Sequence, residues 1–219
     1  RVGPERTAMR TVKDPDVRRQ EIIAAAEELF LEKTYEKTTT GDVMRKLGIA
    51  KGTIYHYFPS KEHLLDAVVE HMADSYLARR LPAVEACNGS ALDRIRILFD
   101  RGSRSADETA ATEQLHETDN LALHTRLLAA LVERLAPVFA AEIRAGCAAG
   151  LFRTEHPLEV AELLLAGIQF LTDDGVHAWS PEDCRRRLQA VPTLVETLLA
   201  APPDSFAFLD PDADQHRQG

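Results

Sequence analysis

Residues 38–62 read Thr38-Thr39-Thr40-Gly41-Asp42-Val43-Met44-Arg45-Lys46-Leu47-Gly48-Ile49-Ala50-Lys51-Gly52-Thr53-Ile54-Tyr55-His56-Tyr57-Phe58-Pro59-Ser60-Lys61-Glu62, and this stretch decides the fold. The three threonines break the pattern of the preceding helix. Thr39, with Asp42 three residues on, resembles a capping box, so a short helix begins there with Val43, Met44 and Leu47 inward. Gly48 can take the left-handed conformation that ends helices. The link Gly48–Lys51 leads into a second short helix, which Pro59 terminates. Two short helices joined by a tight glycine-containing turn, packed on a longer one, make a helix-turn-helix.

The second short helix has an unusual outer face. Ile54 and Phe58 lie four apart and should face the core, leaving Lys51, Thr53, Tyr55, His56 and Tyr57 outside. A helix this short does not hold itself together in water. Its donor-rich, aromatic face has a use when it contacts something, and Lys, Thr and Tyr suit phosphates and base edges.

The stretch from Thr38 to Glu62 resembles the signature of the TetR family of bacterial transcriptional regulators, and the resemblance covers about residues 16–70. It implies an all-α protein: an N-terminal three-helix helix-turn-helix domain that binds DNA, and a larger C-terminal helical domain for ligand binding and dimerisation. Carried over position by position, it implies that Thr38, Thr39 and Thr40 meet phosphate at the start of the second helix. Lys51, Gly52, Thr53, Tyr55 and His56 would lie on a recognition helix in the major groove, where bare backbone at Gly52 allows close approach. Tyr57 and Lys61 would clamp phosphates. Three positions depart from the pattern. Ala50 stands where Ser is common, so a side-chain cap and one phosphate contact are missing. Met44 stands where a small Ala is common, which would set the two short helices slightly further apart. Thr34 stands where Gly is common, and a β-branched residue at positive φ would be strained.

Outward from the motif, residues 1–13 are polar and basic, with Met9 a candidate start, and are expected to be a disordered arm. Asp14-Pro15 starts a first helix as N-cap and first helical residue. Its apolar face is Ile22, Ala26, Leu29 and Phe30. Ser60 caps a fourth helix with the stripe Leu64, Leu65, Val68, Val69, Met72 and Tyr76. These elements bound a DNA-binding domain at 14–75. A helical body is expected over 76–200 and a disordered acidic tail over 201–219. Within the body, a long helix carrying Leu127, Leu131, Leu135 and Phe139 is expected to kink or break at Pro137, with Gly146 and Gly150 at its end. The next helix, opening at Pro157, is apolar at nearly every angle and so should be buried all round. A partner subunit is the economical cover. The resemblance implies dimerisation through the last two long helices, here about 157–175 and 180–199, and hence two recognition helices on a palindromic double-stranded operator.

Composition bounds the alternatives. The chain has 219 residues with a net charge of -9. Over residues 37–61, however, Lys37, Arg45, Lys46, Lys51 and Lys61 face only Asp42, a local net charge of +4. DNA responds to that local potential. No run approaches the roughly 18 apolar residues of a membrane span. Three scattered cysteines make neither a zinc motif nor a disulfide framework, which points to the cytoplasm. The sequence has no GxSxG, HExxH, P-loop or strand-bound GxGxxG, so no enzyme is expected.

The resemblance also implies a small-molecule effector bound in the body and no required cofactor. His116, Asn120, His124, Phe139, Phe170 and Trp179 are the candidate lining. On one helix, His116, Asn120 and His124 would share a face. The two imidazoles would then be roughly 12 Å apart along the axis, too far to share a metal ion unless the helix bends near Asn120.

Overall fold

The computed structural model describes residues 14–99, 120–173 and 176–213. The basic arm, His116 and residues 214–219 lie outside them. Helix α1 (Pro15–Lys33) begins where the Asp14 carboxylate accepts the Asp16 amide at 2.8 Å. Helices α2 (Thr40–Leu47), α3 (Lys51–Tyr57) and α4 (Lys61–Ala86) complete the head. The box at Thr39 is reciprocal: its hydroxyl accepts the Asp42 amide at 3.2 Å, and the Asp42 carboxylate accepts the Thr39 amide at 2.8 Å. Gly48 ends α2 at φ 63°. The body holds α5 (Ala91–Phe99), α6 (Leu121–Ala148), α7 (Pro157–Leu171), α8 (Pro181–Leu199) and a short 3₁₀ turn, Ala207–Leu209. The fold is all-α, with no strand among the described residues.

Two apolar cores form. The first gathers Ile22, Phe30, Val43, Ile54, Leu64 and Val68 of the head, together with Leu123, Leu127 and Ala130 of α6. The second joins Ile95, Leu98, Phe139, Ile143, Val195 and Leu199. Helix α6 therefore belongs to both, and α4 runs on past residue 75 into the body. The two helices lie side by side and parallel. Arg126 pairs with Glu62 at 2.7 Å and with Asp66, and eight residues later Arg134 pairs with Asp74 at 2.8 Å and with Glu70. These exposed pairs set register more than they add stability.

Several expectations need correction. Helix α6 is unbroken through Pro137, because Leu135, Ala136 and Phe139 around it are buried in the second core and hold the helix on. Gly146 lies in the last turn of α6, where its carbonyl accepts the Leu151 amide at 2.9 Å. A Cβ there would stand 2.2 Å from the Phe152 ring, so the glycine is a point of close approach. Gly150, at φ 75°, follows the helix. The tail is not loose over residues 201–213. Phe206 is 1% exposed, with ring centroids 5.8 Å from both Phe152 and Phe208, and its amide donates to Glu196 at 3.0 Å. Arg185 and Gln189 of α8 bind the Asp212 carboxylate. Three phenylalanines outweigh the acidic composition that suggested disorder. In a single chain α7 buries only Ala161 and Leu165, leaving Leu163 61% and Phe170 48% exposed.

Candidate nucleic-acid interface

The head presents α3 across the N-terminus of α2. Helix α3 is anchored by Ile54, fully buried, and by Phe58 just beyond its end. Lys51, Gly52, Tyr55 and His56 are exposed, while Thr53 is half-buried. Open space surrounds Gly52, with no atom within 4 Å of where a Cβ would stand. The Tyr55 hydroxyl lies 3.3 Å from the Thr40 hydroxyl, and Lys51 Nζ stands 5.7 Å from the Tyr55 ring centroid. Ala50 precedes α3 with no side-chain cap, as its identity requires.

Two residues expected on this face are placed differently. Thr38 is 1% exposed, and its hydroxyl donates to the carbonyls of Thr34 and Leu29 at 2.8 and 3.0 Å. It closes the α1–α2 turn from inside and cannot reach phosphate. Tyr57 is half-buried against the first core and edge-on to His56 at 5.1 Å. Thr39 is exposed, but its hydroxyl is engaged with Asp42. That engagement, then the Thr39 amide and the nearby Arg45 and Lys33, hold the Asp42 carboxyl down at about 2.

The local positive charge is partly spent within the head. Arg45 and Lys33 pair with Asp42, and Lys46 pairs with Glu28 of α1. Lys61 sits 4.0 Å above the Tyr35 ring and donates to the Glu36 carbonyl at 3.3 Å. Partial burial lowers its ammonium from the ordinary value, against the pull of Glu36. Thr34 takes φ 69°, ψ 155°, a conformation suited to glycine, and its buried hydroxyl finds no partner.

The expected ligand-lining residues do not converge. His116 is outside the described residues. Asn120 is fully buried, but its side chain binds the head: it accepts the Tyr35 amide at 2.9 Å and donates to the Phe30 carbonyl at 3.0 Å. His124 is buried and its Nε2 lies 2.9 Å from the Asp173 carboxylate, a pairing that neither sequence spacing nor helix period signals. Phe139 stacks edge-on with Phe99 and borders an apolar void of about 10 Å³, which Phe206 also lines. Phe170 and Trp179 do not line that void; they flank His177 near the surface, with ring centroids 4.9 and 5.0 Å away. Among the described residues no three His, Cys, Asp or Glu side chains gather as a metal site would. No described helix is long and apolar enough to cross a membrane.

Residues 22–68 match the model for bacterial regulatory proteins of the tetR family, and residues 105–193 match a tetracyclin repressor-like C-terminal domain. The HTH-type transcriptional repressor KstR2 of Mycobacterium tuberculosis is 33% identical over 82 residues, 37% of this chain and 40% of that protein. The nucleoid occlusion factor SlmA of Haemophilus influenzae is 34% identical over 71 residues, 32% of this chain and 31% of that one. The chain thus spans two fifths or less of these relatives. A solved protein from Syntrophomonas wolfei, assigned to the TetR-family regulators, aligns over 86% of this chain and 97% of its own. Its TM-score is 0.57 at 21% identity, a likeness of fold.

Proposed function

This chain belongs to the TetR family of bacterial transcriptional regulators, DNA-binding proteins and not enzymes, and on that premise we propose that it is a homodimeric, cytoplasmic repressor released from its operator by a small molecule. The observation that carries the reading is the exposed face of α3, where Lys51, bare Gly52 and Tyr55 stand beside the α2 N-terminus. In this reading Tyr55 and Thr53 contact bases, with Lys51, Gly52 and His56 beside them in the groove. Lys61, Thr39 and Thr40 contact phosphate. Thr38 drops out, and Tyr57 contributes through its exposed edge.

A second copy of the chain fits the uncovered apolar side chains of α7 and α8. Leu158, Leu163 and Leu171 on one, with Leu194 and Leu198 on the other, are all at least 37% exposed. Such a two-fold pair would present two α3 helices to the halves of a palindrome.

The test is selection of duplexes from a random pool, followed by binding of variants to the recovered sequence. Lys61→Ala should weaken binding evenly across sequences and flatten its salt dependence. Tyr55→Ala or Thr53→Ala should change which sequences are preferred. Unaltered binding by all three would sink the assignment. Leu163→Glu with Leu194→Glu should give a monomer in analytical ultracentrifugation, and a dimer unaffected by both would refute this interface.

For the effector, the void beside Phe139 has room for about one water molecule, so a ligand there would have to open the interior. The small size of that void among the described residues favours a second reading, in which DNA binding needs no small molecule. Screening compounds for release of the bound duplex separates the two.

A further inference from the structure

We propose that Asn120 is a positioning residue for DNA binding: from the start of the body it fixes the α1–α2 turn and, through Tyr35, places the Lys61 ammonium. The inference rests on the reading of Lys61 as a phosphate contact. Asn120 has no exposed surface, and its side chain spans 85 and 90 residues of sequence to reach the head. Its orientation is unambiguous, because the Tyr35 amide is purely a donor and the Phe30 carbonyl purely an acceptor. The Phe30 carbonyl lies in the last turn of α1, where the backbone acceptors are incompletely used by the helix itself. Asn120 also precedes α6 at a position where asparagine ordinarily caps the helix, yet it makes no cap bond there. Its side chain is committed to the head.

What it holds is under strain. Thr34, one residue before Tyr35, has φ 69°, ψ 155° and a buried hydroxyl without a partner. A segment in such a conformation persists when its surroundings over-determine it. Thr38 supplies one restraint from within the turn; Asn120 supplies the other from outside. Both contacts of Lys61 belong to this same turn. The Tyr35 ring lies beneath its Nζ at 4.0 Å and is itself braced edge-on by Phe30 at 5.2 Å, and the Glu36 carbonyl accepts from it. Without Asn120, the Tyr35 amide loses its partner and the Phe30 carbonyl its side-chain donor, the turn is released toward an unstrained conformation, and Lys61 loses its platform. A body residue thereby acts on the DNA face by a route that does not run along α4.

The experiment is a double-mutant cycle on the full-length chain with the duplex recovered by selection. Asn120→Ala should weaken binding about fivefold and reduce the slope of log K against log salt by about one, as Lys61→Ala does. The double variant should bind within twofold of Lys61→Ala alone, because both changes remove the same contact. Additive losses, or an Asn120→Ala protein that melts lower but keeps the wild-type salt slope, would overturn the proposal. If Asn120→Ala does not fold, Tyr35→Leu leaves both Asn120 bonds possible and removes only the ring. It should reduce the salt slope by the same amount, and a wild-type slope overturns the inference. Lys61→Ala at wild-type affinity would instead refute the phosphate-contact reading itself, and this proposal with it.

Discussion

Replacing Thr34 by glycine should stabilise this protein, although it deletes a buried side chain. The native φ of 69° with ψ 155° is accessible to glycine and costs other residues about 1–3 kcal/mol. The Thr34 hydroxyl is buried without a hydrogen bond, which costs about 1–3 kcal/mol more. Against these gains, glycine loses about 0.5–1 kcal/mol of extra backbone entropy on folding. The buried methyl group forfeits about 0.8 kcal/mol. At the middle of these ranges the balance favours glycine by about 2.5 kcal/mol. Thr34→Ala is the control: it removes the hydroxyl and the methyl but keeps the Cβ at positive φ, and should gain only about 1 kcal/mol. Urea unfolding of the three proteins at one protein concentration reads the differences, concentration being held because association adds to stability. Glycine should exceed alanine by about 1 kcal/mol, roughly 2–4 °C in Tm for a chain of this size. A glycine variant equal to or below the alanine variant would refute the strain argument.

Other expectations follow from the same packing. Phe206→Ala should cost about 3–5 kcal/mol in denaturant unfolding, as for a fully buried aromatic; a loss under about 1 kcal/mol would mean that the tail does not pack on α8. Asp42 titrates at about 2 in the fold, below its unfolded value, so the stability it contributes is complete above about pH 4 and is lost as pH falls toward 2. The stability gap between wild type and Asp42→Asn should therefore be constant near neutrality and close over that acid window; a gap unchanged at pH 2 would contradict the capping box. Arg80 is 7% exposed, and its guanidinium lies 3.6 Å over the Tyr76 ring with Nε unpartnered. Arg80→Met should leave the melting temperature unchanged or raise it, since an incompletely satisfied buried charge is replaced by apolar volume. A large drop would mean that the charge, which donates from one guanidinium nitrogen to the Tyr76 carbonyl at 3.2 Å, also has an anionic partner in the folded protein.

Legibility tracked sequence distance. The start of α1 at Asp14, the box Thr39–Asp42, the left-handed Gly48 and the Ser60 cap of α4 all stand where the residues suggested, because each joins groups two to four residues apart. The strain at Thr34 was legible for the same reason. The interface was legible in part. Lys51, Gly52, Tyr55 and His56 face outward as the short helix period requires. Thr38 does not, because its hydroxyl is claimed by the Leu29 carbonyl of the previous helix. Lys46 is claimed by Glu28 across the head, so a charge count along the chain overstates the charge available on the surface.

By itself, the sequence determined the helix-turn-helix and the all-helical class, since caps, glycine turns and apolar periodicity are local and act before any tertiary contact forms. Only the tertiary structure decided that α6 belongs to both cores, that Asn120 serves the head and not a pocket, that His124 answers Asp173, and that Phe206 turns an acidic tail inward. Each of those outcomes depends on which distant group arrives to satisfy a buried donor, acceptor or ring. That arrival is set by helices packing against one another, and no short window of sequence contains it.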